Sequence, residues 1–356
     1  MPWRAEMATH SRSISPWRRV WLRFKRQRLG YWSLIALAAM LVLSLAGELL
    51  SNERPLLVVH QGHWYFPLVN DYSERQFGGA LDTEADWLDP QVLQLVRGDG
   101  GQVLRAPNPY SHDSLNYFSA QPHPAPPSAD NVLGTDTIGR DVLARLLYGF
   151  RVSFVFGILL AIVGTVIGTL FGLVMGYFGG RVDFFGQRLL EIWSAMPELY
   201  LLIIFASMFK PSMLLLVVLL SLFSWIGLSD YVRAEFLRNR QAEYVRAARV
   251  MGLSHAQIIW RHIMPNSLTP VITFLPFRIS GAIVVLTSLD FLGIGVPPPT
   301  PSLGELLAQG KANLYAWWIL VPTFGVLTLT LLLLTLVGDA LRNAFDLRDR
   351  SAGAAL

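Results

Sequence analysis

Cysteine is absent from this chain, which excludes disulfides, thiol catalysis and thiolate metal sites. Lysine is nearly absent. Lys25, Lys210 and Lys311 are the only ones, so arginine carries almost all of the positive charge. Charged residues make up 15% of the 356 positions, too little for a soluble domain of this length. A phosphate-cradling loop is also missing. The one Gly-Lys pair, Gly310-Lys311, has Glu305 at the first glycine position of that motif and Ala312 after it. No Ser–His–Asp set and no carboxylate pair falls on a plausible shared face. The sequence therefore supplies no engine of its own, and no catalytic residue is expected.

Apolar residues are plentiful, at 53%, and they come in runs. Tyr31–Leu50 is long enough to cross a hydrocarbon layer of about 30 Å. Five more runs follow: Val152–Phe178, Phe184–Phe209 with Pro197 inside it, Met213–Leu228, Leu268–Ile294 and Trp317–Gly338. The expected fold is an all-α polytopic membrane protein with six transmembrane helices and a small mixed external lobe between the first two. The expected units are a basic N-terminus at 1–30, a first helix at 31–50, the lobe at 51–131, a core at 132–338 and a tail at 339–356.

Basic residues set the expected sidedness. Arg4, Arg12, Arg18, Arg19, Arg23, Lys25, Arg26 and Arg28 face one acid, Glu6, at the start of the chain. That places the N-terminus in the cytoplasm. Six crossings then put 179–183, 229–266 and the C-terminal tail on the same side. The loop at 229–266 carries Arg233, Arg238, Arg240, Arg246, Arg249 and Arg261, in agreement. The segment 51–149 carries about twice as many acids as bases, as a translocated loop should. A cleavable leader is the rival reading of residues 1–50, with Ser44-Leu45-Ala46 as its cleavage site. The run is long for a leader and its loss would leave five spans, so retention is expected.

In the lobe, 56–59 and 64–69 flank Gln61-Gly62 and read as a hairpin. Residues 91–97 read as a short helix or strand, and the turn at 98–101 precedes a strand at 102–104. Pro122, Pro124, Pro126 and Pro127 suggest a stiff connector. Trp64, Tyr65, Phe66, Tyr72, Phe77, Trp87, Tyr110, Tyr117 and Phe118 make the segment aromatic. It is read as a docking surface or gate for an external partner. His60 and His63 lack a clustered carboxylate, so no metal site is expected there. Residues 133–151 look like an amphipathic helix capped by Asp136 and lying along the outer interface.

The most informative stretch is 243–266, polar and arginine-rich between two apolar runs. As a helix from Glu243, it places Tyr244, Ala247, Ala248 and Met251 on one face, with Arg246 and Arg249 opposite. Gly252 ends it. Ser254 and Gln257 form a capping-box pattern for a second helix, with Ile258, Ile259 and Ile263 as its apolar stripe and Pro265 as its stop. The sequence predicts two short helices hinged at a glycine, a handle for something outside the bilayer.

The spacing Ala247-Ala248, Gly252, Met264-Pro265 resembles the EAA loop of ABC importer permeases. Arg246 stands where that loop has Glu, His262 where it has Ile, and Met264 where it has Leu. Leu133-Gly134-Thr135-Asp136 with Gly139-Arg140-Asp141, Gly176-Tyr177-Phe178-Gly179-Gly180 with Asp183, and Phe291-Leu292-Gly293-Ile294-Gly295-Val296-Pro297 with Pro301-Ser302-Leu303-Gly304 resemble the C-type permease of dipeptide and oligopeptide importers. The resemblance covers about residues 17–50 and 131–345. The long lobe and Ser288-Leu289-Asp290 look most like the microcin C/oligopeptide type. The resemblance implies the type I ABC importer permease fold and a bacterial inner-membrane location. It implies ATPase coupling through Tyr244, Ala247, Ala248, Met251, Gly252, Ser254, Ile258 and Pro265. It implies a second homologous permease, two ABC ATPase domains carrying ATP and Mg²⁺, and a periplasmic peptide-binding protein as partners. Membrane lipids surround the spans and nucleic acid is not expected, since the basic residues collect beside membrane segments rather than in one stripe.

Ionisable groups at bilayer depth are functional candidates. Arg278 lies near the middle of the fifth span, two residues after Pro276. It is expected to face the path and pair with a peptide carboxylate, or with Glu191 or Glu198 on the third span. Asp290 sits near the outer end of the fifth span as a capping or gate residue. Gly164, Gly168, Gly172 and Gly176 form a small-residue stripe expected to pack on the fifth span or a partner permease. Two other classes compete. A self-sufficient secondary transporter or channel would need inverted repeats and coupling carboxylates. An assembly or anchoring protein would not need six spans.

Overall fold

A computed structural model describes residues 16–98, 100–117 and 121–345. Arg4, Glu6 and Arg12, the turn residue Asp99, Phe118 and the tail beyond Phe345 lie outside the described residues. The chain begins with α1 (Pro16–Arg26), which exposes Trp17, Trp21 and Leu22 and buries Phe24. Next come α2 (Arg28–Leu45) and α3 (Gly47–Leu50), so the first predicted run breaks at Ala46. The helical core is α5 (Val142–Phe178), α6 (Gly180–Ser194), α7 (Glu198–Met208), α8 (Met213–Ser224), α9 (Ile226–Asn239), α10 (Glu243–Val250), α11 (His255–Ile258), α12 (Met264–Phe291), α13 (Leu303–Ala312) and α14 (Trp317–Phe345). Among the described residues, four helices are long and apolar enough to cross a membrane: α2, α5, α12 and α14. Two bent pairs pass that test together, α6 with α7 at 65° and α8 with α9 at 40°, and with each pair taken as one span the number is six.

Several boundaries differ from the predicted ones, each for a physical reason. The third span is broken rather than straight, because Pro197 cannot continue α6 and stands instead as the residue that opens α7. The fourth does not end at Leu228. It bends and runs on as α9 to Asn239, shortening the predicted loop at 229–266. No separate surface helix precedes the second span. Val142 to Phe178 is one helix of 37 residues, and its N-cap is Asp141, whose carboxylate accepts from the Ala144 N–H. Asp136 is not the cap. The predicted interfacial face is buried, with Val142 and Leu146 packed on Leu303, Leu306, Trp318 and Ile319 of α13 and α14. The sixth span continues past Gly338 to Phe345.

α5 is the mast of the bundle, about 55 Å long at 1.5 Å per residue. Its glycine stripe meets the fifth span only at Gly164, beside Arg278; the other three glycines receive α9, so that a Cβ added at Gly168 would lie 2.7 Å from the Trp225 carbonyl and one at Gly176 would lie 2.6 Å from the Arg233 carbonyl. Phe156 and Leu160 of α5 pack with Leu216 and Leu220 of α8 and with Leu286 of α12. Phe150 and Phe154 pack with Leu37, Leu334 and Val337 of α2 and α14. On another face, Leu159, Ile162, Val166, Leu170 and Val174 remain exposed at helical spacing, an apolar surface suited to lipid or another helix.

The lobe folds around one aromatic centre. Its sheet is antiparallel, in the order β2 (His63–Tyr65), β1 (Leu57–His60), β3 (Gln102–Leu104), with His60 opposite His63 and Val58 opposite Val103. Helix α4 (Pro90–Gly98) lays Val92 and Val96 against Val58, Phe77, Ala85 and Trp87. Phe77 makes ring contacts with Tyr65, Tyr72 and Trp87 at 5.2, 6.4 and 5.0 Å. Burying an aromatic ring of this kind stabilises by several kcal/mol, so Trp87→Ala is expected to cost about 3–5 kcal/mol and to melt the lobe first, read as selective protease cleavage within 57–104. The lobe is tied to the start of α5. The Ser51 carbonyl accepts from the Tyr148 hydroxyl at 2.9 Å, and Asn108 donates to Asp141 at 2.8 Å. The predicted proline connector is strapped down as well, since Ala125 N–H donates to the Thr135 hydroxyl at 2.8 Å and Thr135 N–H returns a bond to the Ala125 carbonyl at 2.9 Å.

Candidate functional site

Two places in the bundle gather the residues that the sequence singles out. They are an elbow at the C-terminal end of α5, far from the lobe, and a cavity where the two bent spans break.

The elbow is α10, a four-residue turn at 251–254, α11 and a π-helical turn (Ile259–Ile263) that leads into α12. α10 stops in a Schellman arrangement: Gly252 N–H donates to the Arg249 carbonyl at 3.0 Å and Leu253 N–H to the Ala248 carbonyl at 3.2 Å. Gly252 has φ of 76°, which is why a glycine stands there. Ser254 and Gln257 form the predicted capping box, with bonds of 3.3 and 3.0 Å. His255 Nδ1 meets the Tyr177 hydroxyl at 2.7 Å and fastens the elbow to α5. Ser254→Ala is expected to cost about 1 kcal/mol of local stability, seen as faster amide exchange over residues 255–263.

The elbow's faces are assigned differently from the sequence reading. Ala248 is buried, and with Val245, Ile258, Ile259 and Ile263 it packs on Tyr177, Val232, Phe236 and Val271. Ala248 and Ile258 thus hold the elbow to its own chain and are not free to touch a partner. Periodicity groups Ala248 with Tyr244, but the apolar Val245 beside it turns that edge of α10 inward. The outward strip is Tyr244, Ala247, Val250 and Met251, and Val250 and Met251 are 89% and 72% exposed. Val250 is the exposed member that the small-residue pattern missed. Pro265 does not stop a helix. It stands in the first turn of α12, where a missing N–H is tolerated, and the π turn before it carries the chain straight into the span.

The Gly-Tyr-Phe-Gly-Gly…Asp pattern braces this end. Gly176 admits α9, and Gly179 at φ of 63° leaves room for the Arg240 guanidinium. Asp183 pairs with Arg233, one of the two bonds measuring 2.7 Å. Arg240, Arg246, Arg249 and His255 surround an open cavity of about 460 Å³ against Tyr177 and Phe178.

At the second place, Arg278 donates from Nη2 to the Ser224 carbonyl at 2.8 Å. It makes no ion pair among the described residues, contrary to the predicted pairing with Glu191 or Glu198. Glu191 is an exposed residue bonded to Arg188, one turn away on α6. Glu198 lines the same cavity as Arg278, about 230 Å³ in volume, without reaching it. Asp290 is elsewhere. It is buried and staples the loop after α12, accepting from Val296 N–H at 2.8 Å and from the Ser302 hydroxyl at 2.6 Å, which makes it the capping residue expected and not a wall of the cavity.

One group of charges escaped the sequence reading. Asp136, Arg140, Arg145 and Glu305 form a closed quartet at the lobe end of α5. Arg140 donates to Asp136 and Glu305 at 2.7 Å each, and Arg145 donates to the same two at 3.0 and 2.6 Å. Gln309 bonds Glu305 and accepts from Thr137. The motif Leu133 to Asp141 is thereby explained as a buckle between α5 and α13. Burial pushes the Asp141 carboxyl above its ordinary value, while hydrogen bonds from Asn131, Ala144 N–H and Asn108 pull the other way. Arg145 lay hidden as one more polar residue on a helix, and Glu305 is 160 positions away in sequence.

A mast helix of 37 residues, spans bent beside a largely apolar cavity that holds Arg278 and Glu198, and a doubly capped elbow at its foot mark a polytopic helical membrane subunit. The family described as binding-protein-dependent transport system inner membrane component matches residues 168–350, and the N-terminal TM domain of oligopeptide transport permease C matches 15–62. The inner membrane ABC transporter permease protein YejE of Escherichia coli K12 is 48% identical over 326 residues, covering 92% of this chain and 95% of that one. The peptidoglycan transport system permease protein YejE of Agrobacterium fabrum is 42% identical over 364 residues, covering 94% of each. The oligopeptide transport system permease protein OppC of E. coli K12 is 35% identical over 251 residues, covering 70% of this chain and 83% of that one. The chain belongs to the family of inner-membrane permease components of binding-protein-dependent ABC transporters.

Proposed function

We propose that this chain is one of two permease subunits of an ATP-driven importer for peptides in a bacterial inner membrane. The relatives are named for oligopeptide and peptidoglycan transport, so the cargo class is short peptides, including those cut from peptidoglycan and peptide antibiotics such as microcin C. The observation that carries the coupling role is the exposed strip Tyr244, Ala247, Val250 and Met251 on an elbow whose opposite edge is locked into the core. A cytoplasmic ATPase docks on that strip. ATP and Mg²⁺ belong to it, not to this chain. The second permease packs beside this one, and the binding protein delivers cargo at the lobe end. Both termini lie in the cytoplasm.

Met251→Glu in the complemented importer is expected to abolish peptide uptake and co-purification of the ATPase, while the permease still folds. Retained uptake would overturn the docking role. Ala248→Glu is expected to reduce the amount of folded permease itself, because a buried carboxylate has no partner there. Since the chain has no cysteine, single reporters test sidedness directly. In the permease expressed without its ATPase, Val250→Cys is expected to react with an impermeant maleimide only from the cytoplasmic side, and Thr83→Cys only from the outside.

A further inference from the structure

Arg278 and Glu198 carry opposite charges, line one cavity and leave each other unpaired. Each lies beside a break in a span. Glu198 opens α7 immediately after the bend at Pro197, and Ser224, whose carbonyl holds one Arg278 nitrogen, is the last residue of α8 before the bend into α9. Gly164 on α5 keeps this corner open, for a Cβ there would lie 2.5 Å from Arg278 Nη2 and 2.4 Å from Ser224 Oγ. Three groups are left with unused capacity. Arg278 Nε and Ser224 Oγ are buried without a hydrogen-bond partner, and Glu198 has no bond to any described residue. The remaining walls include Leu160, Phe223 and Val285, which are apolar. An unpaired cation and an unpaired anion are costly in such surroundings. A ligand bearing both charges relieves both costs at once.

We propose that this cavity binds the charged backbone of a zwitterionic peptide on its way across the membrane. The peptide carboxylate accepts from the Arg278 guanidinium and the Ser224 hydroxyl, and the ammonium group donates to Glu198. The proposal rests on the peptide reading above and adds to it a site that reads charge rather than side chains. A cavity of about 230 Å³ has room for a short stretch of peptide and not for a folded cargo. Cargo with only one charged end leaves one protein group unpaired and is carried more slowly.

The test uses the whole importer, with its ATPase and binding protein, in proteoliposomes. One trialanine peptide is offered in four forms: free, amidated at the C-terminus, acetylated at the N-terminus, and blocked at both ends. Each mutant rate is divided by the wild-type rate for the same form, which cancels selection by the binding protein. Arg278→Gln is expected to slow the two forms with a free carboxylate about tenfold, the scale of one lost charge-assisted bond, and to leave the two amides unchanged. Glu198→Gln is expected to do the same for the two forms with a free amine and to spare the acetylated ones. Arg278→Lys keeps the charge and is expected to keep the discrimination. Slowing of all four forms by one factor, with wild-type uptake intact, overturns the site and leaves the permease reading standing. So does recovery of the rate in the Arg278→Gln/Glu198→Gln double variant, which marks the two as a direct pair in another conformation. Failure of the wild-type complex to carry any of the four forms overturns both readings.

Discussion

Arg145→Met is expected to destabilise the folded protein by about 3–5 kcal/mol, the range for breaking a buried ion pair from one side. Arg145 is fully buried and donates to both Asp136 and Glu305. Methionine fills much of the same volume, so the loss is electrostatic. Asp136, itself fully buried, keeps only Arg140 as a cationic partner, and Glu305 must share that same guanidinium. Two carboxylates against one cation leave a net negative charge where the lobe, α5 and α13 meet. Thermal unfolding of the purified protein followed by tryptophan fluorescence checks this, because Trp318 donates to the Thr135 carbonyl beside the quartet. Replacing all four charged residues together by apolar ones is expected to cost far less than the single change, since a buried charge network is worth little more than well-packed apolar residues of equal volume. A single-variant loss no larger than the fourfold one would mean that the quartet does not act as a unit.

The sequence was most legible where one local rule decides the outcome. The capping box at Ser254 and the stop at Gly252 are set by residues three to four positions apart, and both stand as expected. The apolar runs gave the spans, because hydrophobic length alone separates a span from a loop. Legibility failed where long-range contacts choose between local options. Ala248 and Ala247 are identical in propensity, and only the packing of Val245 and Ile258 on Phe236 turns one inward and the other outward. Asp136 reads in the sequence as the helix cap. Arg140 and Arg145 claim its carboxylate, and Asp141 caps α5 instead. The glycine stripe reads as a packing face, but only Gly164 meets the expected fifth span and the rest takes α9, because small residues accept any helix that fits. Arg278 stands out in the sequence by its depth, while its lack of an ion pair among the described residues depends on two helix breaks that composition does not position.

Gly172→Ala and Gly227→Ala are expected to change stability in opposite directions, although both add one methyl group to a helix. At Gly227 nothing lies within 4 Å of the added carbon, so the change is expected to stabilise by about 0.5–1 kcal/mol through helix propensity alone. At Gly172 the added carbon would lie 2.5 Å from the Ser229 carbonyl, 2.7 Å from Val232 Cβ and 3.0 Å from Arg233 N. Those are backbone atoms and a branch point, which no rotamer change can move aside. α9 must therefore lift off α5, with an expected loss of about 3 kcal/mol, the upper part of the range for overpacking. Thermal unfolding of the two variants checks the signs, and a Gly172→Ala protein as stable as wild type would show that α9 is not clamped. The clamp matters for transport because α9 leads directly into α10, and Asp183–Arg233 ties α6 to the same helix. On the proposed docking role, a push on the exposed elbow strip would travel along α9 to its upper end at Trp225, next to the Ser224 carbonyl that holds Arg278. If α9 were loosely seated, the elbow would flex by itself and the push would be lost before it reached the cavity. Gly172→Ala should accordingly lower peptide uptake further than it lowers the amount of folded protein, whereas Gly227→Ala should leave the two in proportion.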